Sequence, residues 1–154
     1  YSVSAMPLLA KYVKNNLDLT SPLAVSPDFG GSSRVEAFSK LLDVEFISLK
    51  KSRSRTTGEV IMEESNVEVE GRDILLVDDM ISTGTSIVRA ANYLKKLGSR
   101  RIFTLCTHAL LVNEAVNSIK ESGVDEIIAT NTIPNDVSKI DVTEIIVDHY
   151  KSLR

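Results

Sequence analysis

The chain has 154 residues, 43% of them hydrophobic, and a formal net charge of -3. That is enough for one hydrophobic core, and the slightly acidic balance gives no global attraction to nucleic acid or to an anionic membrane surface. No apolar run approaches the roughly 18–20 residues of a membrane-spanning helix, and no charged–apolar–small succession marks a secretion leader.

In chain order, residues 4–15 have the periodicity of a helix, with Pro7 in the first turn, where its missing N–H costs nothing. Tyr1 opens directly into that pattern, as a piece of a longer polypeptide would. LAVS (23–26) reads as a short strand, followed by the turn PDFGG. SRVEAFSKLL (33–42) places Val35, Phe38, Leu41 and Leu42 on one helical face. VEFISL (44–49) is a second strand. KKSRSRTTG (50–58) carries no apolar residue and reads as an exposed loop. EVIMEE (59–64) and NVEVEG (66–71) have the pattern of a hairpin arm. DILLVD (73–78) is an apolar strand with acidic ends, as in the middle of a parallel sheet. A helix is expected over 85–97, closed by Gly98. Strands follow at RIFTLCT (101–107) and DEIIATN (125–131), separated by a helix over 113–122, and an amphipathic helix near 143–153 ends the chain. The single cysteine, Cys106, cannot close an internal disulfide. It reads as a small buried hydrophobe in a protein of the reducing cytoplasm.

This alternation of strands and helices predicts one α/β domain over 1–154, a parallel sheet flanked by helices on both faces. Ligands on such sheets bind beyond the carboxyl ends of the strands. Beyond DILLVD lie Asp78 and Asp79, then Ser82, Thr83, Gly84, Thr85 and Ser86 at the start of a helix. Backbone N–H groups, four hydroxyls and a helix N-terminus suit a phosphomonoester, with Gly84 letting the phosphate approach the backbone. Two adjacent carboxylates suit the neighbouring hydroxyls of a ribose ring. The P-loop spacing GxxxxGK[ST] is absent.

Beyond LAVS, Gly30 and Gly31 can let amides approach a ligand. Asp28 can ligate Mg2+, a hard cation that takes one or two carboxylates plus phosphate oxygens, or it can simply cap a turn. Arg34 can face this site or solvent. Beyond VEFISL, Lys50, Lys51, Arg53 and Arg55 put four cations in six residues, either as a solvated face or as a cover for a polyphosphate. THALL (107–111) and TNTIP (130–134) end strands on the same rim, and His108 is equally readable as a ligand contact or a structural residue. His149 reads as a surface residue.

The segment from Asp78–Asp79 to Ser86 resembles the phosphoribosyl-binding motif of type I phosphoribosyltransferases. SPDFGG with the following arginine, KSR, VDDMISTGTS, CTHALL and TNTIP occur in the order found in ribose-phosphate pyrophosphokinases, and the resemblance is to the C-terminal half of that enzyme. It implies a type I phosphoribosyltransferase-like fold. Asp78 and Asp79 would hold the ribose hydroxyls, Ser82, Thr83, Gly84, Thr85 and Ser86 the 5-phosphate, and Asp28 a Mg2+ ion near the diphosphoryl group of ATP. Gly30, Gly31 and Arg34 would form the diphosphate loop. Lys51 and Arg53 match a catalytic Lys-x-Arg, with Lys50 the alternative lysine. The implied reaction transfers the diphosphoryl group of ATP to ribose 5-phosphate and releases AMP. The implied setting is a cytoplasmic homo-oligomer whose N-terminal half carries adenine-binding residues. The competing expectations are a stand-alone phosphoribosyltransferase and a non-catalytic homologue that binds ribose phosphates.

Overall fold

The computed structural model describes residues 2–53, 60–63 and 67–153, with backbone alone for 51–53 and 60–63. Six parallel strands form the central sheet: β1 (Leu23–Ser26), β2 (Glu45–Ser48), β5 (Asp73–Ile81), β6 (Arg101–Ala109), β7 (Glu126–Thr130) and β8 (Ser138–Ile140). Their order is β2-β1-β5-β6-β7-β8, so β5 lies inside the sheet between β1 and β6. A two-stranded antiparallel arm, β3 (Lys50–Arg53) with β4 (Val60–Glu63), stands apart from it.

The continuous apolar run of β5 follows from its burial on both faces. Leu75 and Val77 pack with Met6, Leu9 and Val13 of helix α1 (Met6–Asn16) and with Val35 and Phe38 of α2 (Ser32–Leu42). Ile74 and Leu76 point the other way. They pack with Ile87, Ala90 and Leu94 of α3 (Thr85–Lys96) and Ile119 of α4 (Ala115–Glu121). Alternate residues of one strand thus serve two cores, each closed by two helices. Among the described residues, no helix is long and apolar enough to cross a membrane.

Several expectations change. The basic run is not all loop: Lys50–Arg53 forms β3 and pairs with Val60–Glu63, so the hairpin partner of 60–63 lies upstream rather than at NVEVEG. The latter segment is no strand, because Val69 is drawn into the core and Glu70–Gly71 turns the chain into β5. The loop positions 54–58 lie outside the described residues. Ser39 takes the buried place expected of Leu41, which is 41% exposed. β5 runs three residues past its expected end, because β6 continues beside it and pairs Met80 with His108 and Ile81 with Ala109. The last helix, α5 (Thr143–Ser152), buries none of its residues fully.

At the opposite end of the sheet from these extensions, Asp73 is completely buried. Arg101 grips it with Nε at 3.2 Å and Nη2 at 2.6 Å, Arg100 Nη1 donates at 2.9 Å, and the Thr20 N–H donates at 2.7 Å. Burial pushes the carboxyl up, but the Arg101 hydrogen bonds, the Thr20 N–H and the two guanidinium charges outweigh it and hold Asp73 below its ordinary 3.8. A lowered carboxyl stabilises the fold above the unfolded-state value and loses that contribution as pH falls through the folded one. Asp73→Ala is therefore expected to cost about 2 kcal/mol at pH 7 in urea denaturation, since it removes the acceptor of the Thr20 N–H and of two guanidiniums that are themselves partly exposed. The cost shrinks only below pH 3.8.

Candidate functional site

From Val77 to Met80, β5 passes from core to cleft. Val77 is buried, Asp78 is partly covered and Asp79 is open. After Ile81 the chain turns through Ser82, Thr83 and Gly84 into α3. Gly84 sits at φ +73°, in the left-handed region, and caps the helix without a side chain. The turn and the start of α3, residues 82–87, line a pocket of about 190 Å³ together with Asp78, Met80 and Ile81. All five residues assigned from sequence to the phosphate, Ser82 through Ser86, are in its wall. The Thr83 and Thr85 hydroxyls lie 3.0 Å apart at its mouth. A helix N-terminus rimmed by hydroxyls favours a tetrahedral anion.

The turn is fixed from behind by the end of THALL and the residue after it. The amides of Leu110 and Leu111 donate to the Ile81 carbonyl at 3.0 and 3.1 Å, and the Val112 amide to the Ser82 carbonyl at 3.1 Å. This segment follows β6, and two of its residues, Leu111 (φ 48°) and Asn113 (φ 56°), are held in the left-handed region. It ties up two carbonyls that would otherwise be available to face a bound anion.

Gly84 also has a packing duty. A Cβ there would lie 2.8 Å from Ile119 Cδ1 on α4. The glycine therefore lets α3 begin close against α4, and the phosphate turn inherits its position from that packing.

Arg34 reaches the site from α2. Its Nη2 donates to Asp79 Oδ2 at 2.8 Å and its Nη1 to Asp78 Oδ1 at 3.4 Å. Gly31 makes room for it, since a Cβ there would lie 3.2 Å from Arg34 Nη1 and 2.5 Å from Ser26 Oγ. Gly30 is not crowded in this way. Asp28 accepts from the Gly31 N–H at 3.1 Å, capping a short 3-10 turn (Phe29–Gly31), while Ser26 Oγ donates to the Asp28 carbonyl at 2.6 Å. The two turns beyond β1 and β5 thus meet through one guanidinium.

Burial pushes Asp78 up to about 6, and the neighbouring Asp79 and the charge of Asp28 push the same way against a hydrogen bond from the Asp79 N–H. Beneath it, Cys106 is fully buried and raised to about 12 by burial and by the charges of Asp78 and Asp79, as suits an inert core thiol. Among the described residues, no group of three or more His, Cys, Asp or Glu side chains could hold a metal ion unaided.

The backbone of Lys51 and Arg53 runs along β3, just beyond β2 at the same end of the sheet. His108, left open by the sequence, is exposed at the end of β6, with Nδ1 2.9 Å from Thr132 Oγ1. Thr132 belongs to TNTIP, so those two rim segments touch each other.

A parallel sheet with an acidic pair and a hydroxyl-rich turn at the end of its inner strand defines the type I phosphoribosyltransferase class. Adenine phosphoribosyltransferase from Thermoanaerobacter pseudethanolicus has this fold, at TM-score 0.62 and 21% identity over 81% of this chain and 76% of that one. Phosphoribosylpyrophosphate synthetase from Mycobacterium smegmatis is more similar, at TM-score 0.80 and 27% identity, over 97% of this chain and 50% of that one. Residues 60–149, more than half of the sequence, match the phosphoribosyl synthetase-associated domain, and the chain belongs to that family. Ribose-phosphate pyrophosphokinase of Sulfurisphaera tokodaii is 36% identical over 91% of this chain and 48% of its own length. That of Methanothermobacter thermautotrophicus is 39% identical over 97% of this chain and 51% of its own length. The chain spans about half the length of these relatives.

Two outcomes follow from the geometry. Gly84→Ala is expected to destabilise the fold by about 2 kcal/mol, from left-handed strain and contact with Ile119. Adding Ile119→Ala should remove the contact but not the strain, which a double-mutant cycle by urea denaturation reads out. For Asp78, the raised carboxyl means that the folded state holds a proton that the unfolded chain releases, so this group favours the fold as pH drops from above about 6 toward 3.8. Asp78→Asn should be the more stable form at pH 7, by about 1 kcal/mol once solvent screening is allowed for. That advantage should shrink as pH falls below about 6 and close only near 3.8, measured by the same denaturation.

Proposed function

We propose that this chain is the C-terminal, ribose 5-phosphate-binding half of a ribose-phosphate diphosphokinase. The observation that carries the reading is the pocket of Ser82–Ser86 directly beside the acidic pair Asp78–Asp79. The turn suits the 5-phosphate. Asp78 and Asp79 suit the ring hydroxyls, which can donate to carboxylates where a phosphate cannot. Family membership and the half-length match to ribose-phosphate pyrophosphokinases support the same reading.

The reaction would join O1 of ribose 5-phosphate to the β-phosphorus of ATP. The bond from that phosphorus to the α-phosphate's bridging oxygen breaks, and AMP leaves. Arg34 and the turn of Gly30 and Gly31 would meet the diphosphoryl group. Mg2+ fits the residues present. Asp28 lies close enough to Asp78 for its charge to act on it, and such an ion needs few protein ligands when phosphate oxygens supply the rest. Asp28 would hold it, and the ion would neutralise charge on the transferred group. Lys51 and Arg53 would stabilise negative charge that shifts among the ATP phosphates during transfer. They are two apart on β3, so they share strand parity, which Lys50 does not share with Arg53. Adenine recognition belongs to the other half, and the complete enzyme would work as a cytoplasmic homo-oligomer.

The test is formation of AMP from ATP and ribose 5-phosphate by the complete two-domain protein, with calorimetric binding of ribose 5-phosphate to this chain alone. Lys51→Ala and Arg53→Ala should each lower kcat by about 10²–10³ with little change in the ribose 5-phosphate KM, whereas Lys50→Ala should not. Arg53→Lys should also be impaired, because it loses the planar fork. Binding without turnover in the complete protein would favour the non-catalytic homologue, and base-dependent release of diphosphate from phosphoribosyl diphosphate the stand-alone transferase.

A further inference from the structure

The ends of β6 and β7 are joined by a set of side chains that the phosphate pocket does not use. The Thr107 carbonyl accepts from Thr130 Oγ1 at 2.7 Å and from Thr132 Oγ1 at 2.8 Å. A hydroxyl has one proton to give. With that of Thr132 directed at Thr107, its oxygen meets His108 Nδ1, 2.9 Å away, with a lone pair. Nδ1 must then be the protonated nitrogen, which leaves the lone pair of the neutral ring on Nε2.

The position of this lone pair gives it a use. His108 pairs in register with Met80, two residues beyond the pairing of Asp78 with Cys106. Met80 lines the pocket. Adjacent strands are about 4.8 Å apart, so His108 stands one strand from the pocket wall. It lies on the β6 side of β5, opposite Arg34, which enters after β1. Its surroundings are built rather than loose. Asn135 Nδ2 donates to the Ala109 carbonyl at 2.7 Å, and the segment that follows holds Leu111 and Asn113 at positive φ. Backbone strain of this kind gathers at sites of function.

We propose that His108, locked by Thr132 with its proton on Nδ1, accepts a hydrogen bond at Nε2 from a hydroxyl of the pentose seated on Asp78 and Asp79. This makes His108 a sugar-contacting residue and Thr132 a positioning residue that acts through it. The inference rests on the sugar-binding reading above and extends it to the β6 side. An ionised phosphate has no proton to offer a lone pair, whereas every sugar hydroxyl has one. His108 therefore selects for the sugar and not for the anion, and the turn at 82–86 does the reverse.

Two measurements test this on the chain itself. Long-range proton–nitrogen NMR correlation should find His108 neutral with its proton on Nδ1. Ribose 5-phosphate should move the Nε2 resonance, and inorganic phosphate should not. A proton on Nε2, or an Nε2 signal indifferent to ribose 5-phosphate, overturns the proposal. By calorimetry, His108→Ala should weaken ribose 5-phosphate about tenfold, one hydrogen bond's worth, and leave inorganic phosphate unchanged. Thr132→Val should shift protons onto Nε2 and weaken the sugar phosphate, and Thr132→Ser should restore both. Equal losses for the two ligands, or none for ribose 5-phosphate, overturn the role of His108 while leaving the pocket assignment intact. A wild-type chain that takes up inorganic phosphate but not ribose 5-phosphate overturns both readings.

Discussion

Two adjacent carboxylates at the end of a strand buried on both faces repel each other, and the strand cannot move them apart. Asp78 is fixed by the ladder to β6, and Asp79 follows it with no turn between. Among the described residues the guanidinium of Arg34 meets them, at 2.8 Å from Asp79 and 3.4 Å from Asp78. Much of the local sequence serves that arrangement. Gly31 clears the path for Arg34, Ser26 fastens the turn, and Asp28 caps it while adding a third negative charge. Burial, together with the neighbouring charges of Asp79 and Asp28, raises Asp78 to about 6.

The anion-favouring turn beside it rests on packing rather than on charge. Gly84 places α3 against Ile119, and the amides of residues 110–112 bind the carbonyls behind the turn. The strain at Leu111 and Asn113 is thus located where it positions neighbouring backbone. The acidic pair and the turn sit on one strand and its continuation, so their separation is set by covalent geometry and by a ladder that is continuous to Ile81 and Ala109.

The sequence made this much of the site legible because its signals are local. ILLVDD followed by STGTS reads as strand, acidic end and helix start without knowledge of any other segment. Gly98 closes α3 where expected, with its N–H donating to the Lys95 carbonyl. What escaped depends on partners distant in sequence. Lys50–Arg53 has no apolar residue and becomes a strand only because Val60–Glu63 pairs with it. NVEVEG alternates like a strand, yet Val69 is claimed by the core. Arg34 could not be assigned a direction until α2 was docked beside β5. The three-residue β8 is too short for periodicity to detect. The packing demand on Gly84 was hidden because the residue that makes it, Ile119, lies beyond the whole of β6.

The order of the strands also divides the site between two stretches of chain. Asp78, Asp79 and the turn at 82–86 come from β5 and its continuation, whereas Asp28 and Arg34 follow β1, which pairs with β5 only after β2, β3 and β4 have intervened. Closing such a stretch, even as free chain, costs on the order of 3 kcal/mol for roughly fifty residues, and doubling its length adds only about 0.6 kcal/mol. Chain length in the β3–β4 arm is therefore nearly neutral for the junction of Arg34 with Asp79. Insertions or deletions between the two strands of the arm would cost the central sheet almost nothing. The arm is the part of this architecture most open to divergence, and the charge balance at the end of β5 the least.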